Sequence, residues 1–239
     1  VELTPEHTGE LTRLLGRGDL EVIGRLPSSN ATFLASVCAG GDAFAVVYKP
    51  RRGERPLWDF PDGTLCLREA AAARLSALLG WAVVPPTVLR EGPLGPGMVQ
   101  AFVDHDPDEH YFTLCETHAE AMVRIAAFDV VANNADRKAG HCLRARHDDH
   151  IWGIDHGLTF HVALKLRTVI WDFAGDPLPG ELAEALRAVR PGLRADPLLT
   201  QLLRPAELQA LEARIDRLLA AGHLPDPDPG THAVPWPLV

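Results

Sequence analysis

In the segment FDVVANNADRKAGHCL (128–143), Asp136, Lys138 and His141 stand at offsets of 0, +2 and +5, after a helical pattern and before a short apolar run. Phosphoryl transfer to a hydroxyl uses side chains at this spacing. The aspartate orients the attacking hydroxyl, the lysine offsets charge on the transferring group, and the third residue holds a metal ion. A polar turn after a helix, with Asn133 and Asn134 as caps, would look similar, but a second signal follows at a fitting distance. In IWGIDHGLTF (151–160), Asp155 ends an apolar strand pattern and precedes His156 and Gly157. A carboxylate so placed can reach a Mg²⁺ ion bridging two phosphate groups, and the glycine lets the chain turn sharply. Alone, this run would be an ordinary Asp-x-Gly turn.

Two further residues lie upstream. Lys49 closes the apolar run AFAVVY (43–48), so its stem is expected to be buried and its ammonium to need a partner or ligand. Glu69 sits early in TLCLREAAAARLSALLG (64–80), which is dense in helix formers and ends at a glycine. A Lys49–Glu69 pair could hold the ammonium against the α- and β-phosphates of a nucleotide; separately they read as a strand-end lysine and a surface glutamate. The loop GRLPSSNAT (24–32) lacks a G-x-G-x-x-G sequence. Its Ser28, Ser29 and Asn30 can still offer backbone and side-chain donors to phosphate oxygens, or simply close a hairpin. Lys49, Glu69, the Asp136 loop and Asp155 in this order are harder to produce by chance than any one of them.

The elements that must position these residues are readable. Thr4-Pro5-Glu6 starts a short helix; DLEVIGRL (19–26), TFLASVC (32–38) and AFAVVYK (43–49) read as an antiparallel meander. After the helix at 64–80, strands are expected at 87–91 and 97–103, and an acidic connector at 104–110 marks a boundary. A helical pattern from 116 to 131 is followed by short strands at 141–145 and 151–155, then helices near 179–189, 196–203 and 205–221. This order predicts an α+β, two-lobed protein-kinase-like fold. A β-rich N-lobe occupies 1–103, a mostly helical C-lobe 104–224, and a proline-rich extended tail 225–239.

Composition narrows the partners. The 239 residues include 46% apolar and 23% charged types, which excludes a wholly disordered or fibrous chain. A net charge of −9 argues against nucleic-acid binding. No run approaches the roughly 18 apolar residues of a membrane span, and the first residues, VELTPEHTGEL, do not resemble a secretory signal, so no integral membrane association and a cytoplasmic location are expected. Cys38, Cys66, Cys115 and Cys142 form no C-x-x-C pair and are expected to be reduced, buried packing residues. Of 23 basic residues only Lys49, Lys138 and Lys165 are lysines, and two of them fall where a compact ammonium would face phosphate.

The runs VYKP, RRGERPLWDFPDGT, REAAAARL, NNADRKAGHCL and GIDHGLTF together resemble the phosphatidylinositol 3-/4-kinase-like family, in its actinobacterial branch, across most of the chain. The resemblance implies ATP with Mg²⁺ or Mn²⁺ as cofactors. It makes Lys49 the phosphate lysine, Glu69 its partner, Asp136 the acid/base or hydroxyl-orienting residue and Asp155 the metal ligand. It also places the adenine at the linker near Gln100, Phe102 and Val103. His141 stands where the pattern usually has asparagine. Either it ligates the ion weakly, or Asp155 holds the ion alone, or the protein binds nucleotide without fast turnover. The implied acceptor is an inositol-type or other polyol, a lipid head group or a protein; a regulatory, nucleotide-sensing pseudokinase is the alternative. The arginines Arg51, Arg52 and Arg55 beside Trp58 and Phe60, and Lys165 with Arg167, could meet an anionic substrate. The histidines clustered at 141–161 lack a zinc-site spacing.

Overall fold

In the computed structural model, residues 2–28, 30–39, 41–230 and 232–239 are described. Strands β1 (Asp19–Leu26), β2 (Thr32–Ala39), β3 (Asp42–Pro50), β4 (Thr87–Arg90) and β5 (Gly97–Ala101) form one antiparallel sheet in the order β1-β2-β3-β5-β4. The boundaries of β1 to β3 match the sequence patterns closely. Side chains alternate across a strand, so Val46 and Tyr48 face one way, into a cluster with Leu15, Val37 and Val99, while Lys49, paired with Met98, faces the other. Helix α1 (Thr8–Arg17) seals the first face by burying Leu11 and Leu15. That leaves Lys49 directed to the side covered by α2 (Leu65–Leu79).

Helix α2 is apolar nearly all round because it is wedged between the sheet and the C-terminal helices. Ala70, Ala71, Ala72 and Leu75 join the largest core cluster, with Phe128, Leu186 and Leu211 from later helices. It stops at Gly80, which adopts the left-handed conformation (φ 66°) and donates its N–H to the last turn. Its first turn is capped from a distance: the Glu54 carboxylate accepts from Leu65 N at 3.0 Å and Cys66 N at 2.8 Å.

The second half comprises α3 (Tyr111–Leu114), α4 (Ala119–Ala132), the hairpin β6 (Cys142–Arg144) and β7 (Ile151–Gly153), then α5 (Gly180–Val189), α6 (Pro197–Leu202) and α7 (Pro205–Ala221). Helix α4 begins three residues later than its pattern suggested, since the Thr117 hydroxyl bonds back to Leu114 O and closes a separate turn. Among its described residues the tail has neither helix nor strand, yet it is tied down. Thr168 N and Trp171 Nε1 both donate to Ala233 O at 3.0 Å, and Ala139 N donates to Leu238 O at 2.8 Å. Cys66 and Cys142 are buried as anticipated, Cys115 is half-buried and Cys38 is exposed near the β2–β3 turn; all four are free thiols.

Candidate active site

The strand alternation that turns Lys49 away from the α1 face delivers its ammonium to two carboxylates. Lys49 Nζ lies 2.7 Å from Glu69 Oε1 on α2 and 2.8 Å from Asp155 Oδ1, just beyond β7. Burial opposes the charged lysine, but Asp155 and Glu69 outweigh it and hold the pKa of Lys49 above its ordinary value. Lys49 in turn, against the opposing effect of burial, keeps Asp155 far below the usual carboxylate range. Burial pushes Glu69 up in spite of the lysine. Its second oxygen accepts from His156 N at 2.9 Å, so Glu69 fixes both the ammonium and the turn that carries Asp155. Asp155 keeps 45% of its side chain exposed, so a ligand can reach it.

Asp155 itself has φ 59°, a conformation that is strained for a non-glycine residue. Gly157, expected to supply the sharp turn, is not in that region. A Cβ there would make only ordinary contact with Leu65 at 3.5 Å. The backbone reversal belongs to Asp155, not to its glycine neighbour.

The Asp136 loop is organised by a buried aspartate on α4. Asp129 Oδ2 accepts from Arg137 Nε at 2.7 Å, and its Oδ1 accepts from Arg137 Nη2 and Asn134 Nδ2, each at 2.9 Å. Asn134 Oδ1 then receives Asp136 N at 3.0 Å. Arg137 also donates to His141 O at 3.1 Å and Ile154 O at 2.9 Å and meets His156 Nε2 at 2.7 Å, so one guanidinium joins this loop to the Asp155 strand. Asn133 caps α4 in the left-handed conformation. On this frame Asp136 Oδ2 lies 2.8 Å from Lys138 Nζ. Burial raises the Asp136 pKa although Lys138 pulls the other way.

His141 Nε2 lies 3.5 Å from Asp155 Oδ2, and its Nδ1 lies 3.1 Å from Asp136 O and 3.4 Å from Lys138 N. Burial, only partly offset by Asp155, lowers its pKa to about 4, which leaves the ring neutral near pH 7. Nδ1 thus lies between an acceptor, Asp136 O, and a donor, Lys138 N, while Nε2 faces the Asp155 carboxylate. With Nε2 unprotonated, it and Asp155 Oδ2 would offer a cation two donor atoms. Among the described residues no group of three His, Cys, Asp or Glu side chains could hold a metal. An ion here would complete its shell with phosphate oxygens and water, as suits Mg²⁺.

Lys49, Glu69, Asp136, Asp155 and Asn30 line one cavity of about 270 Å³. Asn30 Oδ1 accepts from Arg55 N at 2.9 Å, tying the segment just before β2 to the loop after β3. Gly53 is needed at that junction, since a Cβ on it would stand 2.3 Å from Ala31 Cβ. Ser28 is exposed and does not line the cavity, and Ser29 lies outside the described residues. The linker residues lie elsewhere. Gln100 is buried and donates to Thr87 Oγ1 at 2.8 Å, Phe102 N donates to Ala45 O at 3.0 Å, and Val103 packs against Leu143 and Trp152. Lys165 Nζ bonds Asp59 Oδ2 at 2.7 Å and lies over the Trp58 ring, so it bridges the Asp155 side of the cleft to the 51–63 loop. Two supports escaped the sequence reading: Glu54, which lines the cavity and caps α2, and Asp129. An aspartate inside the apolar stretch AAFDVVA was the available signal for the second.

No family model matches the chain. A solved Golgi casein kinase with Mn/ADP bound superposes over 91% of this chain and 76% of that one, with a TM-score of 0.53 and 14% identity. A Helicobacter pylori proinflammatory kinase, CtkA, does so over 87% and 97%, with a TM-score of 0.52 and 13% identity. Likeness at such identities concerns the fold, which is a protein-kinase-like α+β arrangement of an N-terminal antiparallel sheet with a helix and a helical C-terminal part. No helix among the described residues is long and apolar enough to cross a membrane. Protein Rv2133c of Mycobacterium tuberculosis is 39% identical over 263 aligned positions, covering 94% of this chain and 94% of that protein, and the chain belongs to its family.

Proposed function

We propose that the protein is an ATP-dependent phosphotransferase of the atypical, lipid-kinase-like kind, moving the γ-phosphate to a hydroxyl. The observation that carries this reading is the Lys49 ammonium held at 2.7 and 2.8 Å by Glu69 and Asp155, with Asp136 lining the same cavity. Lys49 would meet the α- and β-phosphates, with Asn30 beside them in the same cavity. Asp136 would orient the acceptor hydroxyl and take its proton; burial raises its pKa and so makes it a better acceptor than a surface aspartate. Lys138, at 2.8 Å from Asp136, would offset charge on the transferring group. A Mg²⁺ or Mn²⁺ ion bound by Asp155 and His141 would neutralise phosphate charge. The adenine would sit at the linker after β5, near Gln100 to Val103, between an N-lobe of 1–103 and a C-lobe of 104–224. The acceptor class is a polyol of inositol type, a lipid head group or a protein hydroxyl.

The test is ATP consumption with Mg²⁺ or Mn²⁺ across an acceptor panel, for the parent and for Asp136→Ala and Asp155→Ala. Each variant is expected to lose at least ~10²-fold in turnover, as when one preorganised charge or donor is removed. Equal rates in all three proteins sink the assignment. Thermal stabilisation by ATP without consumption on any acceptor supports a nucleotide-sensing module instead, the reading that His141 in place of asparagine favours.

A further inference from the structure

A second cavity, of about 360 Å³, opens between α7, the segment after the Asp155 turn and the tail, and it shares no lining residue with the Lys49 cavity. Its walls include Leu164, Leu166, Trp171, Leu218 and Ala221. Arg214 lines it while keeping only 6% of its surface exposed. The Arg214 guanidinium donates to Val131 O at 2.8 Å and His161 O at 3.2 Å, and its Nη2 has no hydrogen-bond partner among the described residues. Both of those partners are neutral carbonyls. Burial and the like charge of Arg217, another lining residue, lower its pKa to about 10. The acidic lining residues, Asp226 and Asp228, lie at the exposed lip supplied by the tail.

A buried cation beside a second cation, with one donor unused, is costly unless an anion answers it. The volume matches that of small-molecule pockets, which combine apolar walls with a few placed polar groups. We propose that this cavity is a second ligand site, for a small amphiphilic anion whose carboxylate or phosphate monoester group meets Arg214 and Arg217 while its apolar body lies along Leu218, Ala221 and Trp171. The planar fork of arginine suits either head group. The tail forms part of the wall, through Pro225 and His232.

Calorimetric titration of the full chain with octyl phosphate, octanoate, octanol and inorganic phosphate tests this. One of the two anionic amphiphiles is expected to bind saturably, one per chain, and at least ~10-fold more tightly than octanol or inorganic phosphate. The tighter of the two identifies the head group. Binding is expected to persist in Lys49→Met and to weaken at least ~10-fold in Arg217→Glu, an exposed position whose change leaves the fold intact, as circular dichroism would verify. Arg214→Gln, where it folds, should behave like Arg217→Glu. Octanol binding as tightly as the anions, undiminished binding in Arg217→Glu, loss of binding in Lys49→Met, or no saturable binding of any probe overturns the proposal.

Discussion

Arg137 and Asp129 form a two-point ion pair, with N–O distances of 2.7 and 2.9 Å, in which neither side chain reaches solvent. Because the same carboxylate also receives Asn134, it sets the conformation of the turn that presents Asp136. Removing one partner strands a buried charge. Asp129→Ala is therefore expected to lower unfolding stability by about 3–5 kcal/mol. Urea denaturation measures this directly, and a loss below ~1 kcal/mol would contradict a structural role for the pair.

Lys49 cannot be replaced by the cation this chain otherwise prefers. Its ammonium fits between Glu69 and Asp155 as a compact point charge, whereas the guanidinium fork of arginine is larger and planar. Both Lys49→Met and Lys49→Arg should cut ATP turnover by at least ~10²-fold. Near-parent turnover in Lys49→Arg would show that charge alone suffices.

Gly53 is where the loop after β3 meets Ala31, the residue before β2. An added Cβ would collide with Ala31, whose own N–H donates to Gly53 O at 3.1 Å. Gly53→Ala must push that segment outward. Stability should fall by ~1–3 kcal/mol, the usual cost of overpacking, and the Kd for ATP should rise. Equilibrium dialysis with ATP, read beside a denaturation curve, checks both; unchanged affinity would remove the segment from the nucleotide site.

His141 gives the protein a pH signature. Its folded pKa of about 4 lies below the free value of ~6.5, so the unfolded chain takes up this proton first as pH falls. The contribution is complete above pH ~6.5 and drains away on acidification towards pH 4, in all on the order of 3 kcal/mol. His150 and His156, also lowered by burial, act in the same direction. The parent minus His141→Asn difference in urea midpoint should therefore shrink between pH 7 and pH 4.5. A difference that stays constant across that range would place a proton on His141 in the fold.

The strands β1–β3 and helix α2 were legible because one-face burial writes a period of two into a strand, and Gly80 marks a helix end. The Lys49–Glu69 pairing followed from the same logic, since an ammonium at the end of an apolar strand must be answered by an acidic group. What stayed hidden depends on contacts between distant segments. Nothing around Ala233 announces that its carbonyl will accept from Thr168 and Trp171, and nothing in Glu54 says that it caps a helix eleven residues away. Gln100 looked available to a nucleotide, but its cross-strand neighbour in the β4–β5 register is Thr87, which takes its side-chain donor. Cys38 was expected inside because its neighbours are apolar, yet it falls near the end of the β2–β3 hairpin, where the sheet is open to solvent.

The left-handed backbone of Asp155 has an evolutionary reading. Glycine would adopt φ 59° without strain, so what opposes it here is chiefly the loss of the Lys49–Asp155 pair. Aspartate keeps the position only while something rewards its charge. Among relatives of this chain, glycine at 155 would therefore mark the members without the proposed phosphoryl transfer, a diagnosis available from a single column of an alignment before any assay is run.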